Sequence, residues 1–190
     1  MSTDTRTRIL DAALETLPET GLAGLSVGRL AAAAGMSKSG LFARFGGQDA
    51  LQNAIIEAAI DRFRDQVIEP ARAQKGARAR LETLADRWTD WLLLTRPCPI
   101  LQAAFEAPGL TPQAAETARQ SRRDFTSWVE RLARIAVAEG GFAAHTDPAS
   151  FAFRFEGIGL ATQSAGPIQG RDDAATLARA AFSDLFKAHS

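Results

Sequence analysis

Apolar residues recur every three to four positions along almost the whole chain, and no stretch alternates convincingly as a strand would. Ile9, Leu10, Ala13, Leu14 and Leu17 fall on one helical face, which Pro18 and Gly21 bring to an end. Ser26 is placed to cap a second helix, with Val27, Leu30, Ala31 and Ala34 inward and Gly35 as its left-handed stop. Ser37 is placed to cap a third, through about Phe45, and Gly46-Gly47 then breaks the chain. A long helix is predicted from about Asp49 to Glu69, with Leu51, Ile55, Ala59, Phe63 and Val67 inward and Pro70 ending it.

Past a connection at 71–76, Leu81, Leu84, Trp88, Trp91 and Leu92 mark another helix, stopped at Pro97-Cys98-Pro99. A short helix follows at 100–106. Thr111-Pro112 and Asp147-Pro148 each read as a cap followed by proline in the first helical turn. The first opens a helix carrying Ala118, Phe125, Trp128, Leu132 and Ile135, which Gly140-Gly141 closes. The second opens one carrying Phe151, Phe155, Ile158 and Ala161, ending before Gly166-Pro167. A last helix is predicted from Asp172, with Leu177, Ala181, Leu185 and Phe186. The expected class is all-α, about nine helices: a small head at 1–47, a bridge helix at about 49–69 and a larger helical body at 70–190.

The head joins two helices through Gly35-Met36-Ser37, which is helix-turn-helix spacing, and the second helix of such a unit enters the DNA major groove. Leu41 and Phe45 are four apart and anchor that helix inward. Phe42 falls at the edge, and Lys38, Ser39, Gly40, Ala43 and Arg44 fall on the remaining surface. Serine, lysine and arginine donate hydrogen bonds to phosphates or bases. The whole chain has a formal net charge of zero, yet residues 26–47 hold Arg29, Lys38 and Arg44 and no acid. This cationic signal is local and modest, and such a turn also occurs in helical proteins that bind no DNA.

Residues 8–56 (RILDAALETLPETGLAGLSVGRLAAAAGMSKSGLFARFGGQDALQNAII) resemble the N-terminal domain of TetR-type (TetR/AcrR) transcriptional regulators. The matching pieces are RILDAAL, Gly21, the run S-V-x-x-L-A-x-x-A-G-M-S-K-S-G-L-F, Phe45 and Ala50-Leu51. The resemblance implies an all-helical homodimer whose residues 38–44 form the reading helix and whose Ser26 and Ser37 touch phosphates. It also implies partners: a double-stranded DNA operator and a small-molecule effector. The chain departs from the family pattern at four places. Phe42 stands where Tyr is common and loses a phosphate-binding hydroxyl. Ala43-Arg44 stand where two aromatic or His residues are common, Gln48 where Lys is favoured, and Arg29 where an acid is common. Arg29 and Arg44 are candidates to replace the lost contacts.

For the body, the resemblance implies dimerisation through the last two helices and a ligand cavity. Phe155, Gly157, Ile158, Gly159, Phe182 and Leu185 are the interface candidates. Each mid-helix glycine costs roughly 1 kcal/mol relative to alanine. Close approach across a two-fold axis would offset that, and so would packing within one protomer. Trp88, Trp91, Phe105, Phe125 and Trp128, with Gln102 and Glu106 as polar groups, are candidates to line an effector cavity. Aromatics at helical spacing are also what a plain core uses.

Chemistry is excluded more readily than assigned. There is no nucleotide-binding glycine loop, nucleophile elbow or Glu-x-x-His metal motif, so no enzyme activity, cofactor or metal is expected. The single cysteine, Cys98, rules out an intrachain disulfide and reads as a turn residue or a redox sensor. The opening MSTDTRTR has no apolar stretch and no run of about 18 apolar residues exists, so a cytoplasmic protein with no membrane partner is expected. The expected function is a ligand-responsive transcriptional repressor. The alternative is a helical ligand-binding or interaction scaffold that has lost specific DNA binding.

Overall fold

The computed structural model describes residues 3–20, 25, 27–95, 98–105, 110–165 and 168–190. Among them the regular structure is entirely helical: α1 (Thr3–Thr20), α2 (Val27–Ala33), α3 (Lys38–Phe45), α4 (Gln48–Phe63), a π-helical turn (Arg64–Ile68), α5 (Glu69–Arg72), α6 (Ala77–Leu94), α7 (Pro99–Phe105), α8 (Pro112–Ala138), α9 (Pro148–Ala165) and α10 (Ala174–Lys187). The segment α4–π turn–α5 has no non-helical residue, so the described chain forms nine separate rods, as the periodicity predicts. No described helix is long and apolar enough to cross a membrane.

Two expected boundaries differ. Pro70 does not end the bridge helix, which runs on to Arg72. The turn before it is π-helical, with the Glu69 N–H reaching back five residues to the Arg64 carbonyl. A widened turn absorbs the missing N–H and the ring clash that proline brings to an α-helix. The last helix begins at Ala174 rather than Asp172, because the Asp173 carboxylate is bound by Arg171 instead of capping the helix.

The chain packs as two compact units, Met1–Arg62 with Pro99–Arg122 and Phe63–Cys98 with Arg123–Ser190. In the first, α2 packs on α1 and α3, and α7 on α1. Ile9, Ala13, Leu17, Leu30, Leu41, Leu51, Ile55 and Ile56 are among its buried residues. Polar contacts set the register of α4: Arg62 bonds Asp11, the buried Asn53 carbonyl accepts from Thr117, and Gln52 accepts the Thr111 N–H.

The second unit is built on aromatic rings. Trp88 stacks on Phe155 at 5.8 Å and tilts against Phe125 at 4.8 Å. Phe63 stands edge-on to both Trp91 and Phe125. Phe142, Phe151 and Phe186 form a second cluster that also holds the His189 ring. Such pairs add about 0.5–1.5 kcal/mol each beyond their burial. Gly76 has no side chain to cap α6, and the Glu139 carboxylate accepts the Ala77 N–H at 2.8 Å in its place, favourably placed at a helix N-terminus.

Candidate nucleic-acid interface

The turn between α2 and α3 is closed by backbone geometry that the sequence dictates. Gly35 sits at φ +65°, and the Gly35 and Met36 N–H groups bond the carbonyls of Ala32 and Ala31. These two bonds make a Schellman stop, which needs a left-handed residue where glycine stands. Ser37 is extended and its Oγ accepts the Gly40 N–H at 3.1 Å, so it caps α3 as expected. The Ser39 hydroxyl lies 3.0 Å from that of Ser37. Gly46 and Gly47 then stop α3, both N–H groups bonding the Phe42 carbonyl.

Within α3, Leu41 and Phe45 are buried and Phe42 is half-buried, while Lys38, Ser39, Gly40, Ala43 and Arg44 are exposed. The helix therefore offers solvent a face of small residues, bounded by a lysine in its first turn and an arginine in its last. Neither Lys38 nor Arg44 forms an ion pair or side-chain hydrogen bond among the described residues. Arg44 also lies at the helix end that favours a cation. Arg29 is exposed on α2, and Gln48 is exposed at the start of α4. Ser26 lies outside the described residues. A short helix with a small-residue face and unneutralised cations is suited to a groove flanked by phosphates. One cation next to it escaped the sequence reading: the Arg6 guanidinium of α1 lies 4.5 Å from the centroid of the Phe45 ring.

The body candidates separate into groups. Trp88 and Phe125 are buried against each other and Phe155, and Trp91 is buried edge-on to Phe63, so core packing accounts for them. Trp128 is half-buried with the Arg72 guanidinium over its ring, Gln102 is half-buried, and Phe105 is 69% exposed. Glu106 lies outside the described residues. Phe155, Gly159, Phe182 and Leu185 also belong to the protomer's own core. Gly159 is explained there: a Cβ on it would stand 2.1 Å from the Trp88 ring. Of the two readings of the glycine pair, intramolecular packing is the one that fits Gly159.

Gly157 is different, since a Cβ there would meet nothing within 4 Å. With Ile158 it lines an open groove of about 480 Å³ along α9 and α10, with Ala161, Leu177, Ala178 and Ala181. On α9 the exposed Phe153 and Leu160 extend this apolar surface. The sequence reading missed both. Their signal is a second apolar stripe on α9, spaced by four and three residues from Phe153 through Gly157 to Leu160. The two expected roles of Cys98 also separate: it is buried just before α7, its Sγ accepts the Trp91 indole N–H at 3.2 Å, and its own N–H bonds Gln163, which fits a structural role.

Two family descriptions match this chain: "Bacterial regulatory proteins, tetR family" over residues 9–63 and "Tetracyclin repressor-like, C-terminal domain" over residues 77–182. No match was found among curated proteins. Solved structures share the fold. A TetR transcriptional regulator from Chloroflexus aurantiacus is 21% identical over 97% of this chain and 93% of its own, with a TM-score of 0.82. A TetR-family regulator from Cytophaga hutchinsonii is 16% identical over 100% and 98%, with a TM-score of 0.84. AibR, solved with isovaleryl coenzyme A and operator DNA, is 21% identical over 96% and 98%, with a TM-score of 0.78. The capped helix-turn-helix and the family matches to both parts of the sequence lead to one conclusion: the chain belongs to the TetR family of bacterial regulatory proteins, which bind DNA and regulate transcription.

Proposed function

We propose that the protein is a homodimeric repressor that holds a palindromic operator and leaves it when a small molecule binds the body. In this reading 1–47 is the DNA-binding head, 49–69 the bridge helix and 70–190 the ligand-binding and dimerisation domain. The observation that carries it is the outward face of α3, with unneutralised Lys38 and Arg44 around Ser39, Gly40 and Ala43. N-terminal residues of a reading helix contact base edges, so Lys38 reads sequence, and lysine suits the guanine acceptors. Arg44, in the last turn, grips phosphate. AibR, with both an acyl coenzyme A and operator DNA bound, is a precedent on this fold for one chain serving both ligands.

The dimer forms through the open face of α9 and α10. An exposed apolar surface bearing a protruding Phe153 is what a protein interface looks like. Effector binding favours a dimer whose two heads no longer match successive major grooves. A tenfold loss of DNA affinity needs about 1.4 kcal/mol of coupling, and DNA then weakens effector binding by the same factor.

Binding of the full-length protein to its selected duplex, measured by fluorescence anisotropy across a salt series, tests the assignment. Lys38→Ala costs roughly 1–3 kcal/mol at one position of each half-site and relaxes the preference there. Arg44→Ala weakens binding to all sequences and lowers the slope of log K against log salt by about 0.9. Unchanged affinity, preference and slope in both variants would overturn the reading of α3.

A further inference from the structure

We infer that Arg6, which lies outside the helix-turn-helix itself, is a phosphate-contacting residue of the DNA interface, aimed by the ring of Phe45. The inference rests on the DNA-binding reading above.

Phe45 is the last residue of α3, buried against the head, and Arg6 is exposed on the first turns of α1 with its guanidinium over that ring. A ring holds an arginine without using its N–H donors: the attraction is to the π face, and the in-plane N–H groups stay free for an oxygen acceptor. The contrast with Arg62 in the same unit is direct, because Arg62 is neutralised by Asp11. Arg6 has no carboxylate partner among the described residues, and neither has Arg44. Asp49, in the first turn of α4, pairs with neither. Two unneutralised cations therefore bracket the C-terminal end of the reading helix, Arg44 beside Phe45 in sequence and Arg6 above its ring.

Like charges gathered without an acid repel each other and gain only when a polyanion arrives. In helix-turn-helix docking, elements outside the reading helix cross the phosphate backbone, and α1 supplies such an element here. A guanidinium edge meeting a phosphate oxygen makes a charge-assisted, sequence-blind bond. Arg6 adds affinity and leaves the choice of bases to Lys38.

The experiment compares full-length wild type, Arg6→Met and Arg6→Lys on the selected duplex across a salt series, with thermal unfolding measured in parallel. Arg6→Met keeps a long apolar side chain over Phe45 and removes only the charge. It is expected to keep the wild-type Tm and sequence preference while binding every duplex more weakly, with the salt slope reduced by about 0.9. Arg6→Lys keeps the slope. Wild-type affinity and slope in Arg6→Met, with Lys38→Ala still relaxing the preference, would overturn the Arg6 assignment alone. Absence of any preferred duplex for the wild type would overturn the DNA-binding reading and the assignment with it.

Discussion

Gly159 and Gly157 are two residues apart on one helix and do unrelated work. A methyl group at 159 would stand 2.1 Å from the Trp88 ring, and the ring is fully buried with no direction in which to yield. Gly159→Ala is therefore expected to cost roughly 1–3 kcal/mol of stability or more, read by urea denaturation. Gly157→Ala meets open space within the protomer and gains helix propensity, up to about 1 kcal/mol. Equal destabilisation by the two substitutions would contradict this packing account. His189 carries a second residue-scale consequence. Its Nδ1 lies 3.1 Å from the Thr146 hydroxyl, its carbonyl accepts the Ala143 N–H, and its buried Nε2 meets no hydrogen-bond partner among the described residues. Burial first, then the positive charge of Arg154 and the nearby His145, hold its pKa below the ordinary histidine value. The unfolded chain thus takes up this proton first as pH falls. The stability is fully present above about pH 6.5 and is lost as pH drops below it. His189→Gln should remove that part of the acid-side loss in a series of denaturation curves. An identical pH dependence in the variant would exclude His189 as its source.

At the scale of elements, α9 is the most informative, because it is apolar on two sides. Phe151, Phe155 and Gly159 face the aromatic core, whereas Phe153, Gly157 and Leu160 face outward. Apolar spacing predicts where a helix lies and which residues share a face. It does not say which of two apolar faces turns inward, so Phe155, Phe182 and Leu185 fit an interface by spacing yet are buried within the protomer. The same limit applies to Trp88, Trp91 and Phe125, since an aromatic in a core and one in a ligand cavity have the same spacing. The head was more legible. Gly35 and Ser37 act through local backbone geometry, and Leu41 and Phe45 are one turn apart on a short helix, so the turn, the cap and the buried pair all follow from neighbouring residues. Arg6 over Phe45 joins residues distant in sequence, and no local pattern signals it. The outward face of α9 makes its own prediction. Phe153→Asp, with Ala161→Glu as a second variant, should raise the monomer fraction in sedimentation equilibrium. A dimer equally stable in both variants would place the contact elsewhere.

For the whole molecule, a formal net charge of zero and a head that binds a polyanion are compatible, because Lys38 and Arg44 of α3 stand without acid partners among the described residues. In the proposed dimer, affinity comes from a few phosphate contacts on each protomer, doubled by the two-fold axis. In the proposed reading, Phe42 and Gln48 give up two contacts that the family resemblance implies, and Arg44 with Arg6 supplies cationic grip at the end of α3 instead. The central expectation is that a symmetric pair of α3 helices reads DNA sequence. Selection of bound duplexes from a random pool by the full-length protein at near-physiological salt tests it most directly. The expected result is an inverted repeat, with half-sites one helical turn or more apart and a guanine in each that Lys38→Ala no longer requires. A pool that stays random after repeated rounds would contradict it and leave a helical body with no operator to read.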